Sequence, residues 1–192
     1  MLGKQQKTQN TKKSDSKNNS SDQVAKVFND FAESHTEFKG RMKEIKIENV
    51  TEFKYDDGKT FLLVNINEAG AKSLQIVHVD LVKRLESTTG KPVIVIPQRK
   101  TVDGKKFRNF IGKKVPRTKT LTYVRENLLE DLVFPATIVG KRTRYPRGQQ
   151  KQLKVLIDSV DKDTISSKTS AICVGYKSLT GHELSLDFPA SS

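Results

Sequence analysis

The apolar positions fall into short blocks whose spacing changes along the chain. Val24, Val27, Phe28, Phe31, His35 and Phe38 recur on one face of a helix, and Gly40 closes the run. Ser20-Ser21-Asp22-Gln23 ahead of it has the Ser-x-x-Gln form of a capping box. A strand is expected around Met42–Val50, where Ile45 and Ile47 alternate with charged neighbours. Asp57-Gly58 signals a tight turn into a second strand, Thr60–Asn67, so the pair reads as a hairpin. Lys72–Ser87 carries β-branched residues, yet Leu74, Leu81 and Leu85 keep helical spacing over a helical length; the reading is a helix ended by Gly90. Val93–Ile96 is continuously apolar, as in a central strand buried on both faces.

Beyond Pro97 the pattern lapses into a long loop broken by Gly104, Gly112 and Pro116. Thr120 is placed to cap a helix carrying Leu121, Val124, Leu128 and Leu132, which must stop before Pro135. A hairpin follows: Ile138–Tyr145, a Pro146-Arg147-Gly148 turn, then Lys151–Asp158. A last helix, Asp161–Leu179 ended by Gly181, leads to a terminal strand at His182–Phe188. Strands and helices mix without strict βαβ alternation and without a visible repeat. The fold expected is α+β, a mixed and mainly antiparallel sheet flanked by helices. Its core would draw on Val27, Phe28, Phe31, Leu74, Leu81, Leu85, Val93–Ile96, Leu128, Leu132, Val155 and Ile157.

Composition divides the chain at residue 20. Residues 1–20 are Lys, Gln, Asn, Ser and Thr with almost nothing apolar, so a polar basic tail, disordered when free, is expected there; residues 21–192 form the single domain. The chain starts without the apolar run of a signal peptide, and no stretch approaches the roughly 18 apolar residues of a membrane span. One cysteine, Cys173, excludes an internal disulfide and suits a reducing compartment. These features predict a soluble intracellular protein.

Charge is far from evenly spread. Of the formal net +13, Pro97–Thr120 carries +8 and Val139–Lys154 carries +6, leaving −1 for all other residues. Such concentration points to a polyanion, because each phosphate neutralised by Lys or Arg releases condensed counterions. The candidate contacts in the first window are Arg99, Lys100, Lys105, Lys106, Arg108, Lys113, Lys114, Arg117 and Lys119, with Phe107 and Phe110 as candidates for stacking on unpaired bases. In the second they are Lys141, Arg142, Arg144, Arg147, Lys151 and Lys154; strand geometry sends Arg142 and Arg144 to the same face.

Catalytic patterns are missing from the sequence. His35, His78 and His182 are scattered, His35 on the apolar helix face. Cys173 sits between Ile172 and Val174 without a nearby His and reads as a buried structural thiol. Asp56-Asp57-Gly58 lacks the downstream ligands of a calcium loop, and Gly58-Lys59-Thr60 lacks the upstream Gly of a phosphate-binding loop, where Phe53 stands. Gly112-Lys113-Lys114-Val115 lacks the second Gly of a KH loop, and Glu130-Asp131 has no partner at metal-ligand spacing. No enzyme, metal, cofactor or small-molecule substrate is expected.

One block is longer than chance allows. Leu129-Glu130-Asp131-Leu132-Val133-Phe134-Pro135, followed by Ile138-Val139-Gly140-Lys141-Arg142 and Arg144, resembles the family of the seventh small-subunit ribosomal protein found only in eukaryotes. The resemblance extends through Gln98-Arg99-Lys100, Arg117–Thr122, Leu179-Thr180-Gly181 and Phe188-Pro189, covering about Phe28 to Pro189. The tail, the loop Lys100–Val115 and the turn Tyr145–Gln149 depart from the family pattern. The resemblance implies a structural protein of the cytosolic small ribosomal subunit, bound to 18S rRNA and neighbouring small-subunit proteins. It also implies a nucleolar stage of subunit assembly and rRNA maturation, with assembly factors as transient partners. The alternative is an RNA-binding assembly factor not retained in the mature subunit.

Overall fold

The computed structural model describes residues 6–55, 58–102, 116–148 and 151–189. The chain divides into two compact units, Met1–Pro97 and Gln98–Ser192.

In the first unit the long helix α1 (Gln6–Ser34) is followed by the short helix α2 (Lys39–Met42). Strands β1 (Ile47–Tyr55) and β2 (Lys59–Ile66) form an antiparallel hairpin. Helix α3 (Ala71–Thr89) then carries the chain to β3 (Val93–Pro97), which pairs parallel with β2. The helix reading of Lys72–Ser87 therefore holds, and Gly90 caps it in the left-handed region at φ +64°. Leu62, Val64, Ile66, Val93 and Val95 pack with Val24, Val27, Phe28 and Phe31 of α1 and Leu74, Leu81 and Leu85 of α3 in one core. The alternate residues Phe61, Leu63, Ile94 and Ile96 are buried too, Phe61 stacking on Phe53 with centroids 5.5 Å apart.

Local expectations shift at four places. The strand expected around Met42–Val50 runs over Ile47–Tyr55 instead, with Met42 in α2. The helix starts at Gln6 rather than at the Ser20 capping box: no Gly or Pro interrupts residues 6–34, and extending an existing helix adds a hydrogen bond without a second nucleation step. The Gly40 expected to end that run lies instead inside α2. Val93–Ile96 is buried on both faces as expected, but β2 holds the central place; β3 is an edge, where Pro97 costs no ladder bond.

The second unit repeats this order. Helix α4 (Leu121–Val133) precedes a hairpin of β4 (Ile138–Arg144) and β5 (Gln152–Ile157). Helices α5 (Lys162–Ser166) and α6 (Thr169–Thr180) lead to β6 (Glu183–Asp187), parallel to β5. The single helix expected over Asp161–Leu179 is broken in the Ser166–Thr169 stretch. There the Thr169 hydroxyl donates to the Ile165 carbonyl (3.1 Å) and competes with the backbone ladder. Val155, Ile157 and Leu186 are buried. In α4 the expected Leu132 is buried with Val124, Leu129 and Val133, while the expected Leu128 is only half-buried. Cys173, expected buried, is half-buried as well.

The fold is α+β, with two mixed three-stranded sheets in place of the one expected. Their shared topology is the repeat that the residues themselves do not display.

Two glycines test the first unit's packing. A Cβ on Gly70 would meet Asn67 Oδ1 at 2.8 Å and the Ile45 Cα at 3.1 Å, whereas one on Gly40 would meet nothing within 4 Å. Asn67 is itself fixed, accepting from the Lys46 N–H (2.9 Å) and donating to the Glu44 carbonyl (2.8 Å). Gly70→Ala should lower unfolding free energy by about 1–3 kcal/mol, and Gly40→Ala should raise it by about 0.5 kcal/mol, both measured by urea titration.

Candidate nucleic-acid interface

The β4–β5 register sorts the second basic window between two faces. Arg142 stands opposite Lys154 and Arg144 opposite Gln152, while Lys141 opposes Val155 and Thr143 opposes Leu153. The second set faces the helices: Lys141, Thr143 and Leu153 line a cleft with Arg125, Leu129 and Tyr176. The first set therefore projects from the opposite face, where Arg142 and Arg144 are exposed about 7 Å apart along the strand. Arg147 lies exposed beyond them, in the turn where Gly148 takes φ +74°.

Tertiary ion pairs remove some cations from the count. Lys141 Nζ donates to Glu130 Oε1 at 3.1 Å, and Lys154 pairs with Asp187 of the neighbouring strand. Lys177 of α6 pairs with Glu183 at 3.2 Å. No carboxylate among the described residues pairs with Arg142, Arg144 or Arg147. The hairpin thus neutralises lysines and leaves arginines open, and a planar guanidinium suits two parallel hydrogen bonds to one phosphate. Lys151 lies 5.8 Å from the centroid of the Tyr145 ring.

The first window is anchored at both ends. Arg99 Nε donates to Asp131 Oδ2 at 2.6 Å and its Nη2 to Asp131 Oδ1 at 3.0 Å, a bidentate clamp on α4. This guanidinium, expected to contact RNA, is engaged within the chain. The Val102 N–H donates to the Lys119 carbonyl (3.3 Å), so the two ends of the basic segment leave from one place. Lys100, Arg117 and Lys119 are exposed. Lys105, Lys106, Arg108, Lys113, Lys114, Phe107 and Phe110 lie outside the described residues. Thr120 occupies the cap position of α4, but its hydroxyl donates to the Arg117 carbonyl (2.7 Å).

Burial pushes the Asp131 carboxyl above its ordinary value, and the two Arg99 hydrogen bonds offset only part of that. Burial likewise raises the Tyr176 hydroxyl, against the opposing pull of Thr180, Arg125 and Lys141. Sequence reasoning left Arg125, Tyr176 and Leu153 out of any site. They meet only through the β5–α4–α6 arrangement, although Arg125 one turn before Leu129 places a cation beside the core face of α4. His35, expected at the core or its boundary, is exposed with its ring 4.6 Å from that of Phe31.

The fold and this surface define a class: an α+β protein that presents unpaired arginines from one face of a mixed sheet. The Ribosomal protein S7e family matches residues 6–188. The chain is 36% identical over 169 residues to the small ribosomal subunit protein eS7z of Arabidopsis thaliana, covering 88% of this chain and 87% of that one. Against eS7B of Saccharomyces cerevisiae it is 33% identical, covering 88% and 90%, and against eS7 of Drosophila melanogaster 34%, covering 82% of each. The chain belongs to the Ribosomal protein S7e family, and is a structural protein rather than an enzyme.

The Arg99–Asp131 clamp sets a pH-dependent expectation. Arg99→Ala leaves Asp131 largely buried without its hydrogen-bonding cation and should cost about 1–3 kcal/mol at pH 7. A carboxyl whose folded pKa is raised binds its proton more readily in the folded state, so its burial cost is felt above its folded pKa and fades as pH falls through it. Removing Arg99 raises that pKa further. The gap between wild type and Arg99→Ala in thermal or urea unfolding should therefore narrow from pH 7 towards pH 4.

Proposed function

We propose that this protein is a structural constituent of the cytosolic small ribosomal subunit and binds 18S rRNA through its basic hairpin and basic loop. The observation that carries this reading is the division of labour in the β4–β5 hairpin. One face is packed on helices, the other holds Arg142 and Arg144 exposed and paired with no carboxylate among the described residues, and Arg147 extends the row into the turn. Exposed like charges repel, and a phosphate backbone relieves that repulsion. The relatives in plant, yeast and fly named for the small ribosomal subunit support the same assignment.

Residues 21–192 supply the rRNA-binding body in this reading, with both basic windows drawn from the second unit. Lys100, Arg117 and Lys119 mark the root of the loop contact, which continues through Lys105, Lys106, Arg108, Lys113 and Lys114 with Phe107 and Phe110 as stacking residues. Lys141, Lys151 and Lys154 add looser attraction, and Arg99 acts through the clamp that holds the loop's first end. These contacts fix position more than sequence. The protein meets neighbouring small-subunit proteins in the particle, and joins it during a nucleolar assembly stage in the company of assembly factors.

Sedimentation of tagged protein from native lysate after a high-salt wash tests the assignment. One copy per small subunit, retained in full ribosomes and polysomes, is expected; recovery only in precursor particles would make it an assembly factor. Arg142→Glu with Arg144→Glu should leave the circular dichroism spectrum unchanged yet cut incorporation severely. In binding to naked rRNA fragments the same pair should flatten the salt slope by about 1.5. Normal incorporation of the double variant would show that this face is no RNA anchor.

A further inference from the structure

The helix-side cleft of the second unit has the chemistry of a second contact. It encloses about 240 Å³ and has an apolar floor of Leu129, Leu153 and Tyr176. Its rim carries Arg125, Lys141 and Lys151, with His182 beside them. One lining acid, Glu126, opposes them, and Glu130 pairs with Lys141, so the rim stays net positive. Arg125 and Lys141 act on the Tyr176 hydroxyl electrostatically, which places their positive field at the floor.

We propose that this cleft receives a single unpaired base of the bound RNA, its flanking phosphates held on the cationic rim. The inference rests on the RNA-binding reading above. The volume falls below the roughly 300–1,000 Å³ of ordinary ligand sites and suits one ring system rather than a helix or folded segment. Position supplies the second argument. Strand β4 is an edge of its sheet, and along it Lys141 and Thr143 face the cleft while Arg142 and Arg144 face the other side. A single strand crossing that edge keeps phosphates on the arginines and turns one base over the edge onto Leu153 and Tyr176. An acidic peptide would satisfy the rim but has no reason to follow the arginines across the edge.

The test uses the full chain and three probes: single-stranded oligouridylate of about 12 nucleotides, within the size range of single-strand sites, a duplex RNA of equal length, and an oligoaspartate peptide. Thr143→Trp fills the cleft without changing charge, at a strand position that accepts an aromatic residue. Leu121→Trp, at an exposed lining position, does so from the helix and decides the matter if Thr143→Trp fails to fold. Both should weaken oligouridylate binding about tenfold, the scale of losing one stacked base, and leave the duplex within about twofold. Photocrosslinks from 4-thiouridine should map to Tyr176 or His182 in the wild type and vanish in both variants. Arg142→Glu with Arg144→Glu should weaken both RNAs. Unchanged oligouridylate binding in the filled variants overturns the cleft assignment, with RNA binding intact as long as the arginine pair still matters. Loss of oligoaspartate binding alone in the filled variants overturns it in favour of a peptide site. A wild type that binds neither RNA overturns the RNA reading itself.

Discussion

Successive side chains of a strand leave opposite faces, and in the second sheet that parity keeps burial and charge apart. Val155, Ile157 and Leu186 satisfy the helix side, while Arg142 and Arg144 stand on the reverse. A basic hairpin with its charges on the packed side would bury unpaired guanidinium groups at a cost of several kcal/mol each. One with apolar residues on both sides would carry no charge to present. The site is therefore a consequence of how the sheet is held, and the helices α4 and α6 that cover one face determine what the other can do.

The ion pairs refine what parity begins. Lys141, Lys154 and Lys177 are each drawn to an acid from another element, and each pair is surface-exposed enough to contribute little stability. Their effect lies in pattern: they lower the charge around the arginines without touching them, leaving a row of planar donors. Arg99 is the exception among the arginines. Its clamp on Asp131 is partly buried and bidentate, and it fixes the point where the basic segment departs from the fold.

Local regularities were legible in the sequence. Periods of 3.6 and 2 located the helices and hairpins, Gly90 and Gly181 marked helix ends, and the continuous run Val93–Ile96 announced a buried strand. Contacts between residues distant in sequence were not. In the sequence Asp131 is half of a carboxylate pair with no partner nearby, because Arg99 lies 32 positions away, and the second window's +6 omits Glu130 and Asp187, which meet Lys141 and Lys154 only in the fold. The cleft was hidden for the same reason, since Arg125, Lys141 and Tyr176 come from three elements that only folding brings together. A pure four-residue step points to Leu128 rather than Leu129, because it ignores how a helix rotates against its neighbours.

The duplicated topology shows how little separates a sheet apolar on both faces from one with an open polar face. Both units run helix, antiparallel hairpin, helix, parallel strand, and in both the register shifts near the start of the first hairpin strand, at Ile47/Asn49 and at Ile138/Gly140. In the first sheet Phe61, Leu63, Ile94 and Ile96 make the second face apolar as well; in the second sheet the corresponding side is polar. A slip of one residue in β4 would exchange Arg142 and Arg144 with Lys141 and Thr143, driving both guanidinium groups towards the helices. Register, more than charge content, is what leaves Arg142 and Arg144 on the open face of this hairpin.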